Sequence, residues 1–113
     1  MNPAPPIIVS AHDARRLERL LEDAGREHGA VAEALEAELA RAEIRPPAAM
    51  PPDTVTMNSQ VLCVDETSGA EHLLRLVYPW DADASAGQVS VLAPVGAALL
   101  GLSADQAIDW PLP

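Results

Sequence analysis

The amino-acid sequence predicts an α+β fold in which a helical hairpin precedes an antiparallel sheet with one short helix. Apolar residues recur at helical spacing between residues 7 and 44, where Ala is frequent and β-branched residues are few. After residue 53 the apolar residues gather in short runs separated by Gly, Pro, Asp and Ser, as strands and turns require. A chain of 113 residues supports one small domain, with an appendage at most.

Two helices are predicted in the first segment, residues 1–45. Ser10 is the predicted N-cap of the first helix, with Asp13 as its capping-box partner. Each arm has about 14 residues, or roughly 20 Å of helix, and the two form an αα-hairpin or short antiparallel coiled coil. The predicted apolar stripes are Ala14, Leu17, Leu20, Leu21 and Ala24, then Val31, Leu35, Leu39 and Ala42.

A proline-rich linker follows at residues 46–52. Its four prolines cannot continue a helix, so it is predicted to be a semi-rigid spacer. The third segment, residues 53–113, is predicted to form the sheet, with a hairpin turn at 65–70. Its predicted strands are 55–57, 60–64, 72–78, 88–93 and 107–110, and its short helix is 95–101, with Gly101 as the C-cap.

Charge and composition exclude several classes of function. The net charge is −10, the chain has no lysine, and acidic residues dilute its one cluster of arginines. Direct nucleic-acid binding is therefore not expected, because phosphate contacts need clustered positive charge. A basic protein partner fits better. No apolar stretch is long enough for a membrane and no export signal is present, so we expect a cytoplasmic protein.

No arrangement of residues predicts an enzyme, a metal site or a cofactor. The three histidines fall in three different elements, no nucleophile motif surrounds the serines, and the single cysteine lies in an apolar run. Acidic residues do cluster near the predicted hairpin tip. They are either an ordinary solvated helix end or a surface presented to a partner, and they are Glu22, Asp23, Glu27 and Glu33.

Four blocks of sequence, in order, resemble one family of proteins. They are ALEAELARA (34–42), VTMNSQV (55–61), LVYP (76–79) and SVLAPVGAALLGL (90–102). The chain resembles the Gre transcript-cleavage factors and, within that group, the regulators of nucleoside diphosphate kinase. The resemblance implies a short coiled coil followed by an FKBP-like domain. It also implies binding to core RNA polymerase near the secondary channel, in competition with Gre factors.

The resemblance implies no stimulation of transcript cleavage. The cleavage factors carry an acidic pair at the coiled-coil tip, and in the nearest alignment here Ala30 replaces the aspartate while Glu33 remains. A lone carboxylate holds Mg²⁺ poorly against its hydration shell. An arm of roughly 20 Å is also too short to reach a buried active site from a rim. The implied docking surface comprises Trp80, Pro94, Gly96, Leu99, Leu100 and Gly101.

Two alternatives remain at this point. An FKBP-like fold suggests a peptidyl-prolyl isomerase, although a chain without Phe supplies an aromatic pocket poorly. A plain dimerisation module is the other. The family continues beyond the strand at Trp110, so we expect the last strand to be missing and a sheet edge to be exposed. A monomer is expected, with an edge-mediated dimer as the alternative.

Overall fold

The computed structural model describes residues 6–24 and 29–103 and confirms the α+β fold class. Helix α1 spans Ala11–Ala24, α2 spans Gly29–Arg41 and the short α3 spans Pro94–Leu99. In the described ranges, none of these helices is long and apolar enough to cross a membrane. The finer divisions at residues 45 and 53 stay predictions.

Helix α1 begins where its capping chemistry predicts. The Oγ of Ser10 accepts a hydrogen bond from the backbone N–H of Asp13 at 3.0 Å, which satisfies one of the free donors of the first turn. The Asp13 carboxylate has a different partner. Its Oδ2 accepts from the backbone N–H of Met57 at 3.1 Å and so joins the helix start to a distant loop.

The segment predicted as a helical hairpin, residues 7 to about 44, also contains strand residues near both of its ends, which were not predicted. Strand β1, Ile8–Ser10, pairs in parallel with β2, Glu43–Arg45, in the register Ile8 to Glu43. Parallel strands need a long crossover connection, and the helical hairpin is that connection. The β-branched run at residues 7–9 favours a strand over a further helical turn.

A second sheet has the order β3-β4-β5. Strand β3, Gln60–Val64, runs antiparallel to β4, Glu71–Val77, and the predicted turn between them is confirmed by the hydrogen bond from Asp65 N to Ala70 O at 2.9 Å. Strand β5, Gln88–Ser90, is parallel to β4, so the prediction of a wholly antiparallel sheet is wrong. Two 3₁₀ turns between β4 and β5 bring the chain back to the level of Arg75, and β5 then pairs with the last three residues of β4.

Three other predicted elements differ from the structure. Residues 55–57 do not form a strand, because the chain turns at Asn58, which adopts a positive φ of 67°. Val55 nevertheless exchanges backbone hydrogen bonds with residues 101 and 102. The strand predicted at 88–93 ends at Ser90, and the helix predicted at 95–101 begins at Pro94 and ends at Leu99. The strand predicted at 107–110 lies outside the described residues.

One hydrophobic core joins the helices to the sheet. Leu17 of α1, Leu35 of α2, Leu76 of β4 and Leu99 of α3 all belong to a single buried cluster. The helical hairpin therefore packs directly on the second segment, and burial of these shared side chains stabilises both. The remaining buried members are Leu20, Leu21, Ala32, Val55, Met57, Tyr78, Val91, Leu92 and Leu100.

Candidate partner-binding surface

A shallow acidic groove lies between α1 and α2. Glu18 and Glu22 are one helical turn apart on α1, and Glu36 faces them from α2. Leu21, Leu39 and Ala40 complete the lining of a volume of about 300 Å³. The groove combines three carboxylates with an apolar floor, which suits a basic side chain with an aliphatic stem.

No ion pair among the described residues neutralises the groove carboxylates. In residues 6–24 and 29–103 the ion pairs join Arg41 to Glu38 and Arg45 to Glu43, both outside the groove lining. No set of three His, Cys, Asp or Glu side chains in these ranges is arranged to hold a metal ion. The uncompensated charge is therefore available to a cationic partner.

The structure separates the four predicted tip residues. Glu22 and Asp23 are exposed on the last turn of α1, and Glu22 also lines the groove. Glu33 is exposed on the second turn of α2 but does not line the groove. Glu27 lies outside the described residues. Glu18 and Glu36 were not predicted from the sequence, although each lies about one helical turn from a predicted tip residue, Glu22 or Glu33.

An exposed aromatic platform lies on the second segment. Trp80 is 65% exposed and stacks on Tyr78, with 5.1 Å between ring centroids and 9° between ring planes. The guanidinium carbon of Arg16 lies over the Tyr78 ring, 4.5 Å from the ring centroid. Tyr78 itself is buried, so Trp80 stacks on a ring that the core holds in place.

The environment of Tyr78 favours its neutral phenol. Burial is the main cause that raises the pKa of Tyr78, and the negative charge of Asp13 raises it further. The positive charge of Arg16 acts in the opposite direction. Tyr78 is thus packed between α1 and the sheet as an uncharged side chain at neutral pH.

Most of the predicted docking surface around α3 is buried. Leu99 and Leu100 are 3% and 2% exposed and belong to the core. Gly96 is also buried, and a Cβ built on it would lie 1.9 Å from the carbonyl oxygen of Ser90. Helix α3 can therefore approach the end of β5 only because residue 96 has no side chain.

The C-cap of α3 is Leu100, not Gly101 as predicted; Gly101 is the next residue and adopts a left-handed φ of 81°. A Cβ on Gly101 would lie 2.4 Å from the Cβ of Ile7. The absence of a side chain at residue 101 therefore leaves room for Ile7, the residue before β1. Of the six predicted docking residues, Trp80 and Pro94 are exposed. Gly96, Leu99 and Leu100 are buried, and Gly101 is partly buried.

The chain is similar to two family models and to proteins named by them. The model described as transcription elongation factor GreA/GreB, C-terminal, matches residues 50–113. The model described as Rnk N-terminus matches residues 5–44. These two matches meet near the proline-rich stretch and together cover the acidic groove and the aromatic platform.

Individual proteins agree with the family models. The regulator of nucleoside diphosphate kinase from Escherichia coli K12 is 46% identical over 109 residues, which is 96% of this chain and 80% of that protein. A GreA from Acidiphilium cryptum is 31% identical over 102 residues, 90% of this chain and 60% of that protein.

A solved structure shows the same fold. The prokaryotic transcription elongation factor GreA/GreB from Nitrosomonas europaea has a TM-score of 0.86 and 50% identity, and the match covers 97% of this chain and 88% of that one. The fold, the two family models and the relatives all lead to one assignment. The chain belongs to the GreA/GreB transcription elongation factor family and carries the N-terminal segment found in the regulator of nucleoside diphosphate kinase.

Proposed function

We propose that this protein is a non-catalytic regulator that binds core RNA polymerase near the secondary channel and competes there with Gre factors. Its site of action would be cytoplasmic. The observation that carries the proposal is the acidic groove of Glu18, Glu22 and Glu36, whose carboxylates have no ion-pair partner among the described residues. The helices that form it lie in the part of the chain that matches the Rnk N-terminus model. Oriented carboxylates on a chain of net charge −10 favour a basic protein surface and accelerate the encounter with it.

The aromatic platform supplies the second contact. Trp80 offers a large exposed ring whose position is held by Tyr78, so little side-chain freedom is lost on binding. Pro94 is exposed at the start of α3. In this proposal Trp80 and Pro94 face the rim of the channel, while the acidic groove faces its entrance.

The proposal excludes stimulation of transcript cleavage. Helices α1 and α2 contain 14 and 13 residues, which gives each a length of roughly 20 Å. Glu33 stands without an acidic neighbour at residue 30, where the chain has Ala. A short coiled coil and an FKBP-like second segment belong to the same proposal, and nothing in the groove or platform offers a peptide-isomerase pocket.

A competition experiment tests binding. Core polymerase is loaded with labelled GreA, and this protein is titrated in at two salt concentrations. We compare the double variant Glu22→Gln/Glu36→Gln with the matched control Asp53→Asn/Glu66→Gln, which removes the same charge elsewhere on the exposed surface. The groove variant should compete about tenfold more weakly, because each charged contact contributes roughly 0.5–1 kcal/mol. The control should stay within about twofold.

Two results would overturn the proposal. Failure of the unmodified protein to displace GreA at any concentration would rule out the proposed competition for core polymerase. Equal weakening by groove and control variants would show that net charge alone is responsible. Cleavage is tested separately on stalled complexes with backtracked RNA, where shortening of the RNA by this protein would contradict the non-catalytic assignment.

A further inference from the structure

The β3–β4 hairpin presents an apolar surface on the face opposite the core. Leu62, Val64 and Leu73 are 58%, 56% and 57% exposed. Leu62 and Leu73 are directly opposed in the antiparallel register, so their side chains lie on the same face of the hairpin. Val64 follows two residues after Leu62 and shares that face. We call these three residues the outer patch.

The opposite face of the same hairpin already has a partner. Val61, Cys63 and Leu74 are partly buried and pack against the hydrophobic core. The two strands are therefore apolar on both faces, a pattern typical of a sheet covered on both sides. Two leucines and one valine, each more than half exposed, form one contiguous patch, and contiguous apolar patches mark interaction surfaces where singly scattered residues do not.

Opposite charges flank the patch. Glu71 and Arg75 are exposed, and each lies two residues from Leu73 on the same strand face. Two residues of an antiparallel strand span about 7 Å, so the charges stand on either side of Leu73 at equal distances. Arg75 is oriented by a hydrogen bond from its Nη1 to the carbonyl oxygen of Asn58 at 2.9 Å.

We infer that the outer patch binds a second copy of this chain, face to face, around a two-fold axis that lies between the two sheets, runs across the strands and passes between the two Leu73 side chains. That rotation exchanges the two ends of the strand, so Arg75 of each copy meets Glu71 of the other. A two-fold interface must be complementary to itself, and a row reading acid, leucine, base meets that condition. The outer faces of the two hairpins then pack about 10 Å apart, with Leu62 and Leu73 at the centre.

The size of the patch sets the strength of the association. Three half-exposed side chains and two charged neighbours cover a few hundred Å², below the roughly 800 Å² per partner of a standard stable interface. The net charge of −10 opposes self-association at low salt. A weak, reversible dimer with a dissociation constant on the order of 100 μM follows.

Sedimentation velocity over about 10 μM to 1 mM protein tests this without polymerase, so its result is independent of the proposed function. The average mass should rise with concentration towards that of a dimer. Leu73→Asp should weaken the dimer about tenfold or more, because it places a charge at the centre of the apolar contact. The matched control Ile44→Asp changes another exposed apolar residue, 46% exposed on β2, and should leave the dimer unchanged.

Charge reversal tests whether Glu71 of one copy pairs with Arg75 of the other. Glu71→Arg and Arg75→Glu should each weaken the dimer several-fold, because each sets like charges against each other twice per dimer. The double variant Glu71→Arg/Arg75→Glu should return within about twofold of the unmodified protein. Circular dichroism confirms that each variant is folded. A monomer throughout the concentration range, a dimer insensitive to Leu73→Asp, or a double variant as weak as the single ones would overturn the inference.

Discussion

The carboxylate of Asp13 accepts a hydrogen bond from the backbone amide of Met57, a residue 44 positions further along the chain. Both residues are buried. The contact joins the first turn of α1 to the loop that leads into β3, on the opposite side of the proline-rich stretch. It adds one buried polar link between the helical hairpin and the second segment to the shared hydrophobic core.

Replacing Asp13 should therefore loosen the hairpin from the sheet. Asp13→Ala leaves the Met57 N–H buried and without an acceptor, and should cost about 1–3 kcal/mol of unfolding free energy. Asp13→Asn keeps an acceptor oxygen and should cost less. Urea unfolding followed by circular dichroism and by tryptophan fluorescence measures both. Equal stability of Asp13→Ala and the unmodified protein would contradict the role of this contact.

Gly96 should tolerate no side chain. A Cβ at residue 96 would lie 1.9 Å from the Ser90 carbonyl oxygen, a backbone atom that cannot move aside cheaply. Gly96→Ala should destabilise the protein by about 3 kcal/mol or more, because α3 must shift away from β5. Gly69→Ala is the control: nothing lies within 4 Å of its Cβ, and its positive φ of 76° should cost about 1 kcal/mol. Thermal unfolding separates the two, and an equal loss would exclude crowding as the cause.

Alkaline pH should destabilise the fold through Tyr78. Burial raises the pKa of Tyr78, so the folded state holds the phenolic proton more tightly than the unfolded chain does. The stabilisation is complete below the ordinary pKa of about 10 and is lost as pH rises through the higher folded value. The chain has one Tyr, one Cys and no Lys, so few other groups titrate in that window.

Urea unfolding of the Tyr78→Phe and Cys63→Ser variants across that pH window isolates the effect. Burial also raises the pKa of Cys63, so this thiol contributes a loss of the same sign. Tyr78→Phe should reduce the alkaline loss of stability, and combining the two substitutions should remove most of it. An unchanged alkaline loss in the double variant would disprove the assignment.

Acid should weaken the turn that precedes β5. Hydrogen bonds from the hydroxyl of Ser85 at 2.7 Å and from its backbone N–H at 3.1 Å lower the pKa of Asp83. The carboxylate stabilises the turn above its ordinary pKa, and this contribution is lost as pH falls through the lowered value. Carboxyl-carbon NMR titration should give a midpoint for Asp83 below the ordinary pKa of an aspartate side chain. Ser85→Ala should move that midpoint upward, and an unmoved midpoint would rule out the hydroxyl as its main cause.

Trp80 should matter more for partner binding than for folding. Its ring is 65% exposed, so Trp80→Ala removes little buried area and should cost about 1 kcal/mol, mostly the stacking on Tyr78. Competition with GreA for core polymerase should weaken about tenfold or more. Ile44→Ala, at another exposed apolar site, should change neither quantity. A Trp80→Ala variant that competes normally would remove this residue from the proposed interface.

Local signals in the sequence predicted the elements that depend on neighbouring residues. The stripe containing Leu17 and Leu21 located α1, and the Ser10 hydroxyl marked where that helix begins. The apolar run before Asp65 predicted β3 with its observed bounds. In each case the physical cause, helical periodicity, an N-cap or a turn, acts within a few residues.

The features that the sequence did not reveal depend on distant partners. Strand β1 exists because residues 8–10 meet residues 43–45, and no local pattern specifies that pairing. The hydrogen bond from Met57 to Asp13 has the same origin. The outer patch did have a signal, because the unbroken apolar run at 61–64 cannot be buried on one face alone. This run was used only to predict β3 and a packed Cys63, and its outward-facing residues were not predicted to be exposed.

The parallel pairing of β1 with β2 has a mechanical consequence for the helical hairpin. The two ends of the hairpin lie side by side, because β1 and β2 form a parallel ladder of backbone hydrogen bonds. The hydrogen bond from Glu43 N to Ile7 O at 2.8 Å extends this ladder. A push on the far end of the helices would load that ladder and the packing of Ile7 against Gly101 together. The base of the hairpin is therefore held by backbone hydrogen bonds in addition to the side-chain packing of the core, and a displacement of the helices would have to break both.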